Sequence, residues 1–201
     1  MLFRSWEPAG TLLTAGADGT VRRWDPTRSA DAAMFTDLSV AADSAYELFS
    51  GWLRPENGPG VLALCGDGQL FAVDSLAGDV KPFTAGGVTR VWRLAVDARS
   101  GSLAIAQRTG KPVTVLPRPG ADSVPVNLPA GWDATDAFVA WTPTGDLVVR
   151  SLEGGVGICA SGTGPVRAIG SVAGVARELA AAPAGPPRVA VAGDRAVILR
   201  S

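Results

Sequence analysis

Histidine is absent from this chain of 201 residues. That removes Ser-His-Asp and Cys-His nucleophile pairs, His general bases, and nearly every zinc or non-haem iron site. Cysteine occurs twice, at Cys65 and Cys159, 94 positions apart and each inside an apolar run. Such placement reads as two buried free thiols rather than a disulfide or a metal site. Lysine is scarce as well: sixteen of the 18 basic residues are Arg, and only Lys81 and Lys111 are Lys. No basic run exceeds two residues, and 19 acidic residues bring the net charge to −1. The concentrated basic patch that nucleic-acid binding requires is therefore lacking. No apolar segment reaches the ~20 residues of a membrane span, and Met1-Leu2-Phe3-Arg4 lacks the basic-then-apolar layout of a signal peptide. The expectation is a cytoplasmic protein with no membrane or nucleic-acid partner.

What is abundant is apolar surface and turn residues. Apolar side chains make up 47% of the chain and charged ones 18%, enough to build a core. The 25 Gly and 15 Pro are spread along the length instead of clustering, which suits many short strands joined by tight turns.

The turns recur with a period. Trp6-Glu7-Pro8-Ala9-Gly10 precedes the apolar Thr11-Leu12-Leu13, and Trp141-Thr142-Pro143-Thr144-Gly145 precedes Asp146-Leu147-Val148-Val149. Ala181-Ala182-Pro183-Ala184-Gly185 is a third copy, and looser ones end at Gly60 and Gly101. The five glycines Gly10, Gly60, Gly101, Gly145 and Gly185 lie 50, 41, 44 and 40 residues apart. The long first gap implies an insertion around residues 30–45. After each glycine comes a hairpin, with two-residue turns expected at Asp18-Gly19, Asp67-Gly68, Thr109-Gly110, Gly154-Gly155 and Gly193-Asp194. A further strand is expected before each glycine, at 2–6, 45–52, 89–96, 137–141 and 175–180. Runs such as Val61–Leu64 and Val189–Ala192 are apolar at successive positions, as in sheets covered on both faces. The connections are mostly too short for the crossover helices of a parallel α/β sheet.

One stretch is more specific than the rest. Leu12-Leu13-Thr14-Ala15-Gly16-Ala17-Asp18-Gly19-Thr20-Val21-Arg22-Arg23-Trp24-Asp25 is an apolar strand, an Asp-Gly turn and a returning strand closing on Trp-Asp. It resembles the inner hairpin of one blade of a WD-repeat β-propeller, and the period of about 40–45 residues fits that family along the whole chain. The close match is confined to residues 6–25. The resemblance implies an all-β propeller of about five four-stranded blades in one domain over 1–201, the blades near 1–44, 45–87, 88–131, 132–171 and 172–201. The last blade is incomplete and the ring partial or open. It also implies that Thr14, Asp18 and Trp24 brace the first blade, and that Asp67 keeps one place of that pattern in the second.

Candidate sites follow from residue type and loop position. Gly110-Lys111 does not make a phosphate loop, because Ile105 stands where its first Gly belongs and Pro112 where its Ser or Thr belongs. Asp18, Asp67 and Asp194 each sit alone in a turn, where turn chemistry accounts for them. Ser151 and Ser161 have no His to activate them. Trp132, in the loop Pro129-Ala130-Gly131-Trp132-Asp133, is a candidate protein-binding anchor with Asp133 and Asp136 beside it. Arg90, Arg93 and Arg177, near or on the innermost strands, are candidates at a channel mouth. The resemblance implies a non-catalytic interaction scaffold or sensor without a cofactor, binding a protein or peptide, a second propeller fragment or a copy of itself. Two rival readings are a propeller hydrolase or lactonase with a carboxylate-bound divalent metal, and a truncated fragment without independent function.

Overall fold

A computed structural model describes residues 3–6, 12–15, 20–24, 35–39, 45–53, 59–65, 67–74, 79–83, 88, 90–97, 99–108, 110–117, 121–174, 178–181, 188–192 and 197–200. Strands dominate among them, and the one helical element is a single 3-10 turn at Ala160–Gly162. All strand pairings between elements are antiparallel and join neighbours in sequence. The protein is thus all-β, built of small antiparallel meanders.

The packing groups the strands into two compact units, Met1–Thr89 and Arg90–Ser201. In the first unit, β1 (Phe3–Trp6), β2 (Leu12–Ala15), β3 (Thr20–Trp24) and β4 (Phe35–Ser39) form one four-stranded sheet in that order. The strands β5 (Ala45–Leu53), β6 (Pro59–Cys65), β7 (Leu70–Asp74) and β8 (Asp79–Pro82) form the second. The stretch around 30–45 is therefore not simply an insertion, since it supplies β4, which pairs along the whole of β3 from Thr20↔Ser39 to Trp24↔Phe35.

The second unit holds three sheets. The first is β9 (Val91–Val96), β10 (Leu103–Gln107), β11 (Thr114–Leu116) and β12 (Val124–Pro125); the next is β13 (Phe138–Trp141), β14 (Leu147–Arg150), β15 (Gly155–Cys159) and β16 (Val166–Ser171). The last has three strands among the described residues, β17 (Glu178–Ala181), β18 (Arg188–Ala192) and β19 (Val197–Arg200). Each sheet starts at one edge, and β13 lies against both β9 and β17, the starting edges of its neighbours.

Burial explains the continuous apolar runs. One face of the β13–β16 sheet gives Val139, Leu147, Val149 and Cys159 to a core shared with Ala104, Ala106, Val113 and Val115. The opposite face gives Phe138, Ala140, Val148 and Val156 to a core shared with Leu179, Val189 and Val191. Leu147, Val148 and Val149 are consequently 0% exposed although they alternate in direction. Each such side chain contributes about 1.5–3 kcal/mol by leaving water. In β18 the pattern alternates after all: Val189 and Val191 are buried and Ala190 between them is exposed.

The hairpin turns differ from the two-residue expectation at both Asp67-Gly68 and Gly154-Gly155. Cys65 N–H donates to Gln69 O at 2.9 Å and Gly68 N–H to Cys65 O at 2.9 Å. Ser151 N–H likewise donates to Gly155 O at 2.9 Å and Gly154 N–H to Ser151 O at 3.1 Å. These are three-residue loops that end in a left-handed glycine, with φ +86° at Gly68 and +99° at Gly154. Polar side chains select this form: Asp67 Oδ1 accepts from Gln69 N–H at 2.9 Å, and Ser151 Oγ from Gly155 N–H at 3.2 Å. The turns at 18–19 and 193–194 lie outside the described residues.

Both cysteines are free and buried. Burial, helped by the nearby Asp67 charge, pushes the Cys65 thiol from 9.0 up to about 11. The folded state then holds this proton more tightly than the unfolded chain does. The resulting stability is fully present below about pH 9 and is lost as pH rises through about 11. Denaturant titrations at pH 8 and pH 11 should therefore show a drop that is smaller in Cys65→Ala by on the order of 2 kcal/mol. An identical drop in both proteins would contradict the assignment.

Candidate interaction site

The candidate residues of the first unit are structural. In the β2–β3 pair Thr14 faces Arg22 and Leu12 faces Trp24, so Thr14 and Trp24 are diagonal neighbours on one face. The Trp24 indole N–H donates to the Thr14 hydroxyl at 2.8 Å, and Thr14 is buried. Asp18 lies outside the described residues. Asp67 is exposed and spends both carboxylate oxygens on Gln69, the second through the side-chain amide at 2.7 Å, so it fastens its own turn.

In the second unit the strand register collects loops from different sheets at one end. The first residue of β9, Val91, pairs with the last of β10, Gln107, which sets Arg90 beside Arg108; the Arg108 N–H donates to Arg90 O at 3.1 Å. The first residue of β13, Phe138, pairs with the last of β14, Arg150. The connection 129–137 and the hairpin loop 152–154 therefore share an end. They meet the β9–β10 end too, since the Arg93 guanidinium lies 5.2 Å from the Phe138 ring centroid.

The sequence brings forward Arg90, Arg93, Trp132, Asp133 and Asp136 separately, and all but Trp132 present charge at this end. Arg90 and Asp133 are exposed, and Arg93 and Asp136 are partly buried. Asp133 Oδ1 accepts the Thr135 N–H at 2.8 Å, and that backbone bond holds its carboxyl below the usual range. Its own N–H donates to Glu153 Oε2 at 3.3 Å. Glu153 is likewise held below its ordinary value, first by its own backbone N–H and then by the Ser151 hydroxyl. Both groups are thus anionic at neutral pH. Arg90 and Asp136 hold left-handed φ values of +53° and +51°, each shortly before the first strand of a sheet. Non-glycine residues in that region carry strain of order 1 kcal/mol. Asp136 Oδ1 is also shielded from solvent without a hydrogen-bond partner.

Trp132 is folded back onto the β13–β16 sheet. A Cβ on Gly155 would come within 2.5 Å of its indole ring, and one on Gly157 within 3.2 Å. The indole therefore lies flat on the bare strip that these two glycines leave on one face of β15, and packs against the core. Its aromatic face is already spent inside the molecule. Arg177 lies outside the described residues.

Besides Glu153, four residues of this end were not singled out by the sequence: Leu152, Trp92, Arg108 and Arg150. Leu152, at the tip of the β14–β15 loop, is 52% exposed and the one large exposed apolar side chain among the described residues. Trp92 carries the guanidinium groups of Arg93 and Arg108 at 4.6 and 4.4 Å from its ring centroid, and meets Phe138 edge-on at 6.3 Å. Arg150 is 2% exposed, and burial lowers its pKa. It donates to Ser151 O at 3.1 Å, Val172 O at 3.3 Å and Gly174 O at 2.7 Å, tying the hairpin to the chain that leads into β17. Counting outward from the 97–102 turn sets Arg108 opposite Val91; the register shift at Trp92 is what brings Arg90 beside Arg108, and the sequence does not signal it.

No protein-family model matches the chain, and no curated protein matches it in sequence. Among the described residues no three His, Cys, Asp or Glu side chains are grouped to hold a metal ion. Among the same residues no helix is long and apolar enough to cross a membrane.

Proposed function

We propose that this chain is a non-catalytic interaction module of the WD-repeat propeller type, which binds a protein or peptide through the loops at the β9-start end of its second unit. The observation that carries the reading is the convergence there of loops from two sheets. They present exposed Arg90 and Arg108, joined by a backbone hydrogen bond, and exposed Asp133, Glu153 and Leu152 on turns stiffened by side-chain-to-backbone hydrogen bonds. Loops held this way lose little freedom on binding, which favours recognition over disorder. The propeller reading draws support from meanders of up to four strands in chain order, from first strands set side by side within each unit, and from the Trp24–Thr14 bond in the hairpin that resembles the family.

Selection from a displayed library of random peptides tests the proposal. Peptides should be enriched whose binding is abolished when Arg108→Ala, Leu152→Ala and Glu153→Ala are combined. Enrichment that is indifferent to those three changes, or no enrichment at all, would sink it.

A further inference from the structure

We infer that Arg108, stacked on Trp92, and Arg90 beside it on the adjoining strand end seat the acidic side chains of the partner. This rests on the interaction-module reading above and adds the partner's chemistry. Arg93 and Arg108 both stack on the one indole, at 4.6 and 4.4 Å. A stacked guanidinium keeps its fork of N–H donors in its own plane, free of the ring, and has already given up much of its rotamer freedom. Arg108, the exposed one of the two, is thus prepared for the two parallel bonds that a carboxylate accepts.

Arg90 adds a second exposed cation, its backbone bonded to that of Arg108. Arg90 and Arg108 are exposed, and neither forms an ion pair with a described residue. Two exposed cations on adjoining strand ends raise the local potential that an arriving anion meets. Arg90 also keeps its left-handed φ where glycine would fit without strain, as happens where a side chain is needed at a costly backbone position. On the neighbouring loops Asp133 and Glu153 are ionised, so an acidic segment is repelled from the β13–β14 side and confined to the arginines.

The probe is a fluorescein-labelled peptide of alternating Glu and Gly, titrated with the full chain by anisotropy beside Gln-Gly and Lys-Gly peptides. The Glu peptide alone should bind, more weakly at high salt. Arg108→Gln and Arg90→Gln should each weaken it by at least about fivefold, while Arg167→Gln, exposed on β16, should leave it unchanged. Failure of the Glu peptide to bind, preference for the Lys peptide, or equal loss in Arg167→Gln would overturn the inference. If the library selection meanwhile yields neutral peptides that depend on the same loops, the module reading stands and only the acidic partner falls.

Discussion

Replacing Arg150 with methionine should cost about 3 kcal/mol or more of unfolding free energy in the second unit. The guanidinium is buried, and it supplies donors to Ser151 O, Val172 O and Gly174 O. Methionine fills a similar volume but leaves those carbonyls without this donor, and a buried unpaired carbonyl costs about 1–3 kcal/mol. Arg150→Lys keeps the charge with one compact ammonium, so it should recover part of the loss and no more. Urea denaturation followed by tryptophan fluorescence separates the cases. If Arg150→Met proves as stable as the parent, the three bonds are not what holds the β14–β15 hairpin to the strand that follows.

Gly154→Ala should be comparably damaging, on the order of 3 kcal/mol, for two separable reasons. Gly154 has φ +99°, which an L side chain adopts only under strain, and its added Cβ would run into the Val172 carbonyl oxygen. That oxygen cannot step aside cheaply, because Val172 N–H is bonded to Gly154 O at 2.8 Å and Val172 O itself accepts from Arg150. Gly131→Ala isolates the first effect: φ is +83° there, and a Cβ would meet nothing within 4 Å. It should cost about 1 kcal/mol. Equal losses at the two positions would mean that the collision contributes nothing.

The strands and their order were legible because hydrophobic runs and glycine turns repeat along the chain. The Gly10, Gly60, Gly101, Gly145 and Gly185 series set the frame, and β1, β5, β9, β13 and β17 all lie just before its members. Phe35–Ser39 escaped notice because Phe-Thr-Asp-Leu-Ser has neither an unbroken apolar run nor strict alternation. Its strand state comes from the β3 edge it completes. The turn type was misread for a physical reason: Asp-Gly suits a two-residue turn, but the Asp67 carboxylate caps Gln69 N–H and so favours a three-residue loop.

The site divides along similar lines. Charged loop residues are recognisable as surface, which is why Arg90, Arg93, Asp133 and Asp136 were marked. The cue to how Trp132 packs was present as well. Gly155 and Gly157, two apart on a strand, leave a strip with no side chains that an indole can cover. Arg150 had no such cue. It follows Leu147-Val148-Val149 at a strand end, where an arginine ordinarily reaches water.

The dry sandwiching of β13–β16 between two other sheets has a consequence for how the second unit assembles. Every strand pairing is between neighbours in sequence, so each meander has low contact order and can form without closing a long loop. Docking is another matter. A single meander with apolar side chains on both faces is sticky until both neighbours arrive, so its order propagates from sheet to sheet as in a one-dimensional array. The β13–β16 sheet is then the cooperative keystone of that array. Damage to either flanking sheet should be felt there as lost amide-exchange protection, well beyond the strands that were altered.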